Sequence, residues 1–290
     1  MNFNTGEELL QLCQTHKKSI SQIMMEIESQ NFDLGEEEMF RLMKESFQVM
    51  KRAVHKSLSK DIRSMGGLIG GEAKKLASQR EAGRNLCGNP TSKAIAYAMG
   101  VLEVNASMGL IVAAPTAGSC GILPGVLTMI QEEYNFSDEE MEAALFNAAA
   151  VGIIIVKNAT VSGAEGGCQA ETGAAAAMAA SAVCELMGGS AEQCLSAAGT
   201  ALKNIMGLVC DPIAGLVEAP CQKRNAMGAA NALISAEISL AGIPSLIPFD
   251  ETVSAMYKVG KMLPFELRET ALGGVADTPT GCSLCRKIFQ

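Results

Sequence analysis

The sequence predicts an all-α fold: a compact multi-helix domain punctuated by Gly/Pro-rich turns. Three observations lead there. No segment of the 290 residues sustains the period-two alternation of a half-buried strand. Apolar residues recur instead at helical spacing along most of the chain, and several stretches open on cap residues. The alphabet also suits close helix packing, with 29 Gly, 17 Met, many Ala and no Trp; small residues let helices approach, and Met fills irregular gaps. With 48% apolar residues, a chain of this length buries a sizeable core.

Residues 1–60 predict an N-terminal amphipathic helical hairpin packed on a main body formed by residues 61–290. Its first arm, 7–27, carries Leu9, Leu10, Cys13, Ile20, Ile23 and Met24 on one face; its second, 36–58, carries Met39, Leu42, Met43, Phe47, Met50 and Val54. Gly66–Gly71 is a glycine-rich joint, either a hinge or a wall of a site. A helix over 91–106 follows Pro90, with Thr91 or Ser92 as N-cap. The turn Pro115–Gly121 leads into a helix around 124–133. Ser137-Asp-Glu-Glu140 is a capping box that starts a helix running to Asn158. Val151–Val156 alone would suit a buried strand, but it continues that capped pattern and is read as helix. Helices over 171–188, 191–206, 222–240 and 250–262 follow, and the tail from Gly273 is read as irregular.

The net charge of −8 and pI near 5.0 leave no basic surface for phosphate, which argues against nucleic acid. The first residues lack a basic-then-apolar export pattern. The longest apolar run, around 151–156, is broken by Asn147 and ended by Lys157, short of the roughly 20 residues that span a bilayer. A cytoplasmic protein is expected. Its ten cysteines are then reduced thiols rather than a disulfide framework: core residues, metal ligands or a catalytic thiol.

Cys13, Cys184 and Cys194 lie on apolar helical faces and read as core. Cys87 falls in a loop, and Cys120 reads as a small filler beside the Thr116 turn. Cys168, Cys210 and Cys221 differ. Gly166-Gly167 precedes the first, Asp211-Pro212 follows the second and Pro220 precedes the third, so backbone N–H groups can approach a bulky inorganic group. Their separations of 42 and 11 positions match neither a zinc finger nor a ferredoxin run. Spacing alone leaves a metal or cluster site and coincidental core thiols both open. Three thiolates on a 4Fe–4S cluster would leave one iron free for an oxygen ligand and Lewis-acid chemistry. Four would close it for electron transfer. Cys282-Ser-Leu-Cys285 is a C-x-x-C whose members are the possible fourth ligand.

These stretches resemble one family. Glu103–Gly109, Ala114–Pro124, Lys157–Glu171, Gly207–Asn225 and Gly273–Gly281 are similar to the iron–sulfur-dependent L-serine dehydratases (L-serine ammonia-lyases), in the form of the α subunit of the two-subunit type. The resemblance covers roughly residues 60–281. It implies a helical catalytic domain with a 4Fe–4S cluster on Cys168, Cys210 and Cys221, and deamination of L-serine to pyruvate and ammonia without pyridoxal phosphate. In some members a C-terminal cysteine caps the open iron; here Cys282 and Cys285 are followed by Arg286–Gln290. Single-chain members carry a further domain with a Ser-His-Thr-type motif that this sequence lacks. The only histidines, His16 and His55, sit on charged N-terminal helices and read as surface.

The resemblance therefore implies a separate β subunit within a higher αβ oligomer, and the catalytic base, which this chain does not name, is expected as a histidine of that partner. Thr116, Gly118 and Ser119, ahead of a helix N-terminus, are the candidate carboxylate-binding turn. Lys157 and Asn158 are candidates for the substrate's carboxylate or amine, with a helix cap as the alternative for Lys157. Glu165, Glu171 and Arg224 are candidate partners that orient the ligands. The same scaffold acting on threonine or cysteine, and a non-enzymatic electron carrier or sensor, are the alternative readings.

Overall fold

Cap chemistry sets the helix boundaries in the structure, a computed structural model that describes residues 1–290. Thirteen helices form: α1 (Gly6–His16), α2 (Ile20–Phe32), α3 (Glu36–Ser59), α4 (Glu72–Glu81), α5 (Asn89–Ala106), α6 (Ile122–Tyr134), α7 (Asp138–Asn158), α8 (Gly163–Gly166), α9 (Cys168–Leu186), α10 (Ala191–Asn204), α11 (Cys221–Leu240), α12 (Phe249–Met262) and α13 (Pro279–Phe289). There is no sheet; the one β-type contact is an isolated bridge between Cys210 and Arg268. The all-α expectation holds. The Ser137 capping box forms as read, with the Ser137 hydroxyl accepting from the Glu140 N–H and the Glu140 side chain accepting from the Ser137 N–H.

Four boundaries differ from the sequence reading, each for a local reason. The arm 7–27 is two helices, because Lys17 turns left-handed (φ 54°) to close α1 and Ser19 opens α2 with its own capping box to Gln22. The N-terminal region thus holds three helices rather than a hairpin of two. Helix α4 was not legible, since it is polar and buries only Ala73. Helix α5 starts at Asn89 without a side-chain cap, so neither Thr91 nor Ser92 caps it; Pro90 sits in the first turn, where its missing N–H costs nothing. The tail is not irregular, because the Thr278 hydroxyl accepts from the Gly281 N–H and Pro279 pre-sets the first turn of α13.

Helix α9 occupies the centre, packed by α6, α7, α10 and α11. Ala174–Ala177, Ala179, Ala180 and Ala182 are fully buried. Such a helix has no polar face, and its small side chains let four neighbours close around it. The same device recurs between α5 and α6, where a Cβ on Gly125 would lie 2.6 Å from the Ala98 nitrogen. One continuous core of 60 buried residues includes Leu9, Ile20 and Phe47 from the N-terminal helices together with Phe146 and Leu202. A buried polar link ties α2 to it: Glu185 on α9 accepts from the Ile20 N–H (3.1 Å) and from Asn147 (2.7 Å), which in turn accepts from Ser181 (2.6 Å). No helix is long and apolar enough to cross a membrane.

Candidate active site

The turn between α8 and α9 is built on Gly167, whose φ of 78° favours glycine. A Cβ there would also sit 2.8 Å from the Leu208 carbonyl oxygen. The next residue, Cys168, opens α9. Gln169 then pins three segments, donating to the Gly166 and Met256 carbonyls (2.9 and 3.0 Å) and accepting from the Gly207 N–H (2.8 Å). This holds 207–210 alongside the start of α9. Cys210 is fixed by its own backbone, donating N–H to the Leu267 carbonyl (2.9 Å) and accepting from the Glu269 N–H (2.7 Å). Cys221 opens α11 after Pro220. Two of the three thiols therefore sit at the N-termini of long helices, where the dipole favours negative charge.

All three thiols are buried and reduced. Burial pushes each of them up, Cys221 to about 12, and mutual repulsion adds to this: Cys210 feels Cys168 and Cys221, and Cys221 feels Cys168. That repulsion places the three in one electrostatic neighbourhood. Beside them the half-buried Arg224 donates to the Val209 carbonyl (2.8 Å) and to Asp211 (2.6 Å). Burial opposes its charge, but Cys168 and Asp211 outweigh that and hold it above the usual arginine value. Asp211 also accepts from the Val275 N–H (2.7 Å), tying the 273–277 turn to the Cys210 loop. Glu218 accepts from the Ser64 hydroxyl (2.6 Å) and the N–H groups of Gly66 and Leu68 (2.6 and 3.0 Å). The glycine-rich joint is thus a wall of the 210–221 loop.

Thr116, Gly118 and Ser119 come together against Glu171, in the first turn of α9. The Thr116 and Ser119 hydroxyls lie 3.1 Å apart, and Thr116 donates to Glu171 Oε1 (2.8 Å). Asn225, one turn into α11, donates to the Gly118 carbonyl (2.8 Å) and accepts from the Gly121 N–H (2.9 Å). The turn is therefore braced by the helix that carries Cys221. Burial pushes the Glu171 carboxyl up to about 7, the Thr116 hydrogen bond pulls it back, and nearby Glu269 raises it again. A second acidic pair lies behind Cys221. Gln222 donates to both Glu103 (2.9 Å) and Glu72 (3.2 Å). Burial and Glu72 hold Glu103 above the usual range against pulls from the Ala73 and Gly71 N–H groups. Burial pushes Glu72 upward too, but the Gly70 N–H, Gln222 and Glu103 outweigh it and leave it low.

The remaining sequence candidates make other contacts. Lys157 and Asn158 are exposed at the end of α7 and hold the N-terminal segment: Lys157 donates to the Phe3 carbonyl (2.7 Å) and Asn158 to the Asn4 carbonyl (2.7 Å). Glu165 is exposed, as are His16 and His55. Cys282 and Cys285 are half-buried on α13, which packs on the 213–215 turn after Cys210; Cys282 Sγ lies 3.8 Å from the Ala276 carbonyl. Cys13, Cys120, Cys184 and Cys194 are core residues as read, whereas Cys87 is exposed. A surface cleft of about 590 Å³ between α1, α10 and residues 244–251 contains none of the thiols. The groups with shifted protonation, Cys168, Glu171, Cys210 and Cys221, converge at the thiols instead. Asp211 and Glu218 went unread in the sequence, since their partners are remote along the chain.

Residues 15–276 match the family described as serine dehydratase alpha chain. The chain is 47% identical over 287 residues to a probable L-serine dehydratase alpha chain of Bacillus subtilis, covering 99% of this chain and 95% of that one. It is 44% identical to the L-serine dehydratase alpha chain of Peptoniphilus asaccharolyticus, over 99% of this chain and 98% of that one. An L-serine dehydratase of Streptomyces coelicolor is 37% identical over 97% of this chain, which spans 62% of its length.

Proposed function

The chain belongs to the serine dehydratase alpha-chain family, and from that premise we propose that it deaminates L-serine to pyruvate and ammonia with a 4Fe–4S cluster on Cys168, Cys210 and Cys221. The observation that carries the ligand set is three buried thiols sharing one electrostatic neighbourhood, two of them at helix N-termini.

The three candidates are all cysteines, and thiolates are the ligands that the irons of a cluster take. Thiols pushed up by burial and mutual repulsion also favour a strongly cationic guest, which removes the cost of their ionisation. Gly163 keeps space beside Cys210, because a Cβ there would lie 3.0 Å from its sulfur.

When bound, a cluster with one iron free of thiolate supplies Lewis acidity toward the substrate's β-hydroxyl. The chain's own residues do the rest. With the Thr116 proton given to Glu171, the Thr116–Ser119 turn offers the Ser119 hydroxyl and backbone N–H groups to the substrate carboxylate, and Asn225 and Asn105 hold that turn in place; Asn105 donates to the Ala117 carbonyl (3.1 Å). Arg224 fixes the Cys210 loop through Val209 and Asp211. The α-proton needs a base. With both histidines exposed on the N-terminal helices, we assign the base to a separate β subunit in a cytoplasmic αβ assembly. Cys282 and Cys285 remain the proposed source of a fourth ligand in the absence of substrate, α13 being packed beside the Cys210 loop.

Anaerobic co-purification with the β subunit, followed by iron and sulfide analysis and a serine assay, tests the proposal. Cluster-loaded enzyme should turn serine over, and Cys210→Ala should abolish turnover while keeping the helical signal. Retained activity in that variant removes Cys210 from the ligand set. A panel with threonine and cysteine fixes the substrate preference.

A further inference from the structure

Glu171 is the group at this site that nothing above employs. Its carboxylate is half-buried in the first turn of α9, wedged between two backbone segments. A Cβ on Gly118 would lie 3.0 Å from Oε1, and one on Gly163 would lie 2.7 Å from Oε2. Both positions are glycine because the carboxylate takes the space a side chain would need. Oε1 accepts one hydrogen bond, from the Thr116 hydroxyl at 2.8 Å. Oε2 accepts none and faces the Cys210 side of the site.

No cation serves this carboxylate. Arg224 is committed to Val209, Asp211 and Cys168. The charged group that Glu171 does feel is another acid, Glu269. A half-buried carboxylate gains from a cation or further donors. Here one hydroxyl serves Oε1 and Oε2 stays open, between the turn proposed to hold the substrate carboxylate and a proposed cluster ligand. The local charge is lopsided in favour of a small cationic ligand group.

We propose that Glu171 receives the α-ammonium of the amino-acid substrate through Oε2, with Thr116 holding Oε1 to aim it. This rests on the serine-deaminating reading above and adds a specificity determinant to it. The ammonium sets amino acids apart from hydroxy and simple carboxylic acids of the same size. Glu171 also spans the distance between the Thr116 turn and Cys210, so one side chain would register the amine against both the carboxylate turn and the reacting hydroxyl. Thr116 then acts as a positioning residue through Glu171.

The test uses the anaerobic, cluster-loaded αβ enzyme and compares ligands that differ only in the amine. Calorimetry with L-alanine and with propanoate, both unreactive, reads the ammonium contribution; KM and kcat for serine read it during turnover. In Glu171→Gln, L-alanine binding and serine KM should weaken by about a hundred-fold, the range seen when one partner of a buried charge pair is removed. Propanoate binding should change by less than about threefold. Glu171→Asp keeps the charge one methylene back and should give an intermediate loss for L-alanine alone, which keeps the test decisive if the glutamine variant fails to load its cluster. Equal weakening of L-alanine and propanoate, or a fall in kcat with KM and L-alanine binding unchanged, overturns the assignment; the second result would make Glu171 a proton-transfer group. A wild-type enzyme with a full cluster that binds L-alanine but does not deaminate serine would contradict the proposed reaction and leave the ammonium site standing.

Discussion

Gly163→Ala isolates the geometry of the site from the stability of the fold. The new methyl would lie 2.7 Å from Glu171 Oε2, 3.0 Å from Cys210 Sγ and 3.1 Å from Glu171 Cδ. Ordinary contact begins near 3.4 Å, so the carboxylate must retreat by about 0.7 Å, and the sulfur must shift as well. The backbone at residue 163 is helical, so alanine is not strained there. Crowding of this kind costs about 1–3 kcal/mol, partly offset by the roughly 0.4–1 kcal/mol that Gly→Ala gains by restricting the unfolded chain. The net loss is therefore at most about 2.6 kcal/mol, small enough to leave the chain folded. Catalysis is more sensitive, because a misplacement near 1 Å costs on the order of a hundred-fold. The assay is serine turnover of the anaerobic αβ enzyme, with iron content and thermal midpoint measured on the same sample. Expected is a drop of about a hundred-fold in kcat/KM with a midpoint lowered by a few degrees. Turnover within threefold of wild type at full iron content would refute a site packed between Gly163, Glu171 and Cys210.

Three further outcomes are expected. Glu103→Gln should raise the thermal midpoint increasingly with pH: the raised carboxyl costs nothing below its unfolded value near pH 4, where both states are protonated, and its cost grows as pH climbs toward the folded value. A midpoint difference independent of pH from 4 to 8 would contradict this. Arg224→Lys loses the fork that reaches both Val209 and Asp211, so anaerobic iron content should fall while circular dichroism stays unchanged; full iron retention would show the fork to be dispensable. Ser19→Ala removes the capping box of α2 and should cost about 1 kcal/mol by urea titration, with no change in serine KM; a loss below 0.3 kcal/mol would mean that Glu185 alone holds that terminus.

What the sequence made legible follows from how local each signal was. The Ser137 box, the Ala-rich helix after Cys168 and the clustered turns around Cys210 and Cys221 are contiguous patterns, and they form much as read. The break at Lys17–Ser19 went unread because apolar spacing continues across it, although Ser19 and Gln22 spell a cap. Lys157 and Asn158 were candidates through proximity in sequence to the Cys168 turn; the end of α7 instead presents them to Phe3 and Asn4. Glu218 and Asp211 find their partners 150 and 64 positions away, at Leu68 and Val275, and no periodicity reports such pairs. Glu171 was legible as a candidate partner of the ligands, from its place three residues after Cys168. Its bond to Thr116 and the two glycines against it needed the fold.

The most direct test is iron and acid-labile sulfide on the anaerobic αβ enzyme, measured together with serine turnover for wild type and for Cys168→Ala, Cys210→Ala and Cys221→Ala. Iron and sulfide in equal amounts, with turnover lost in all three variants, is the result expected of a cluster on these thiols. A metal-free protein that deaminates serine as fast as the iron-loaded one would contradict it.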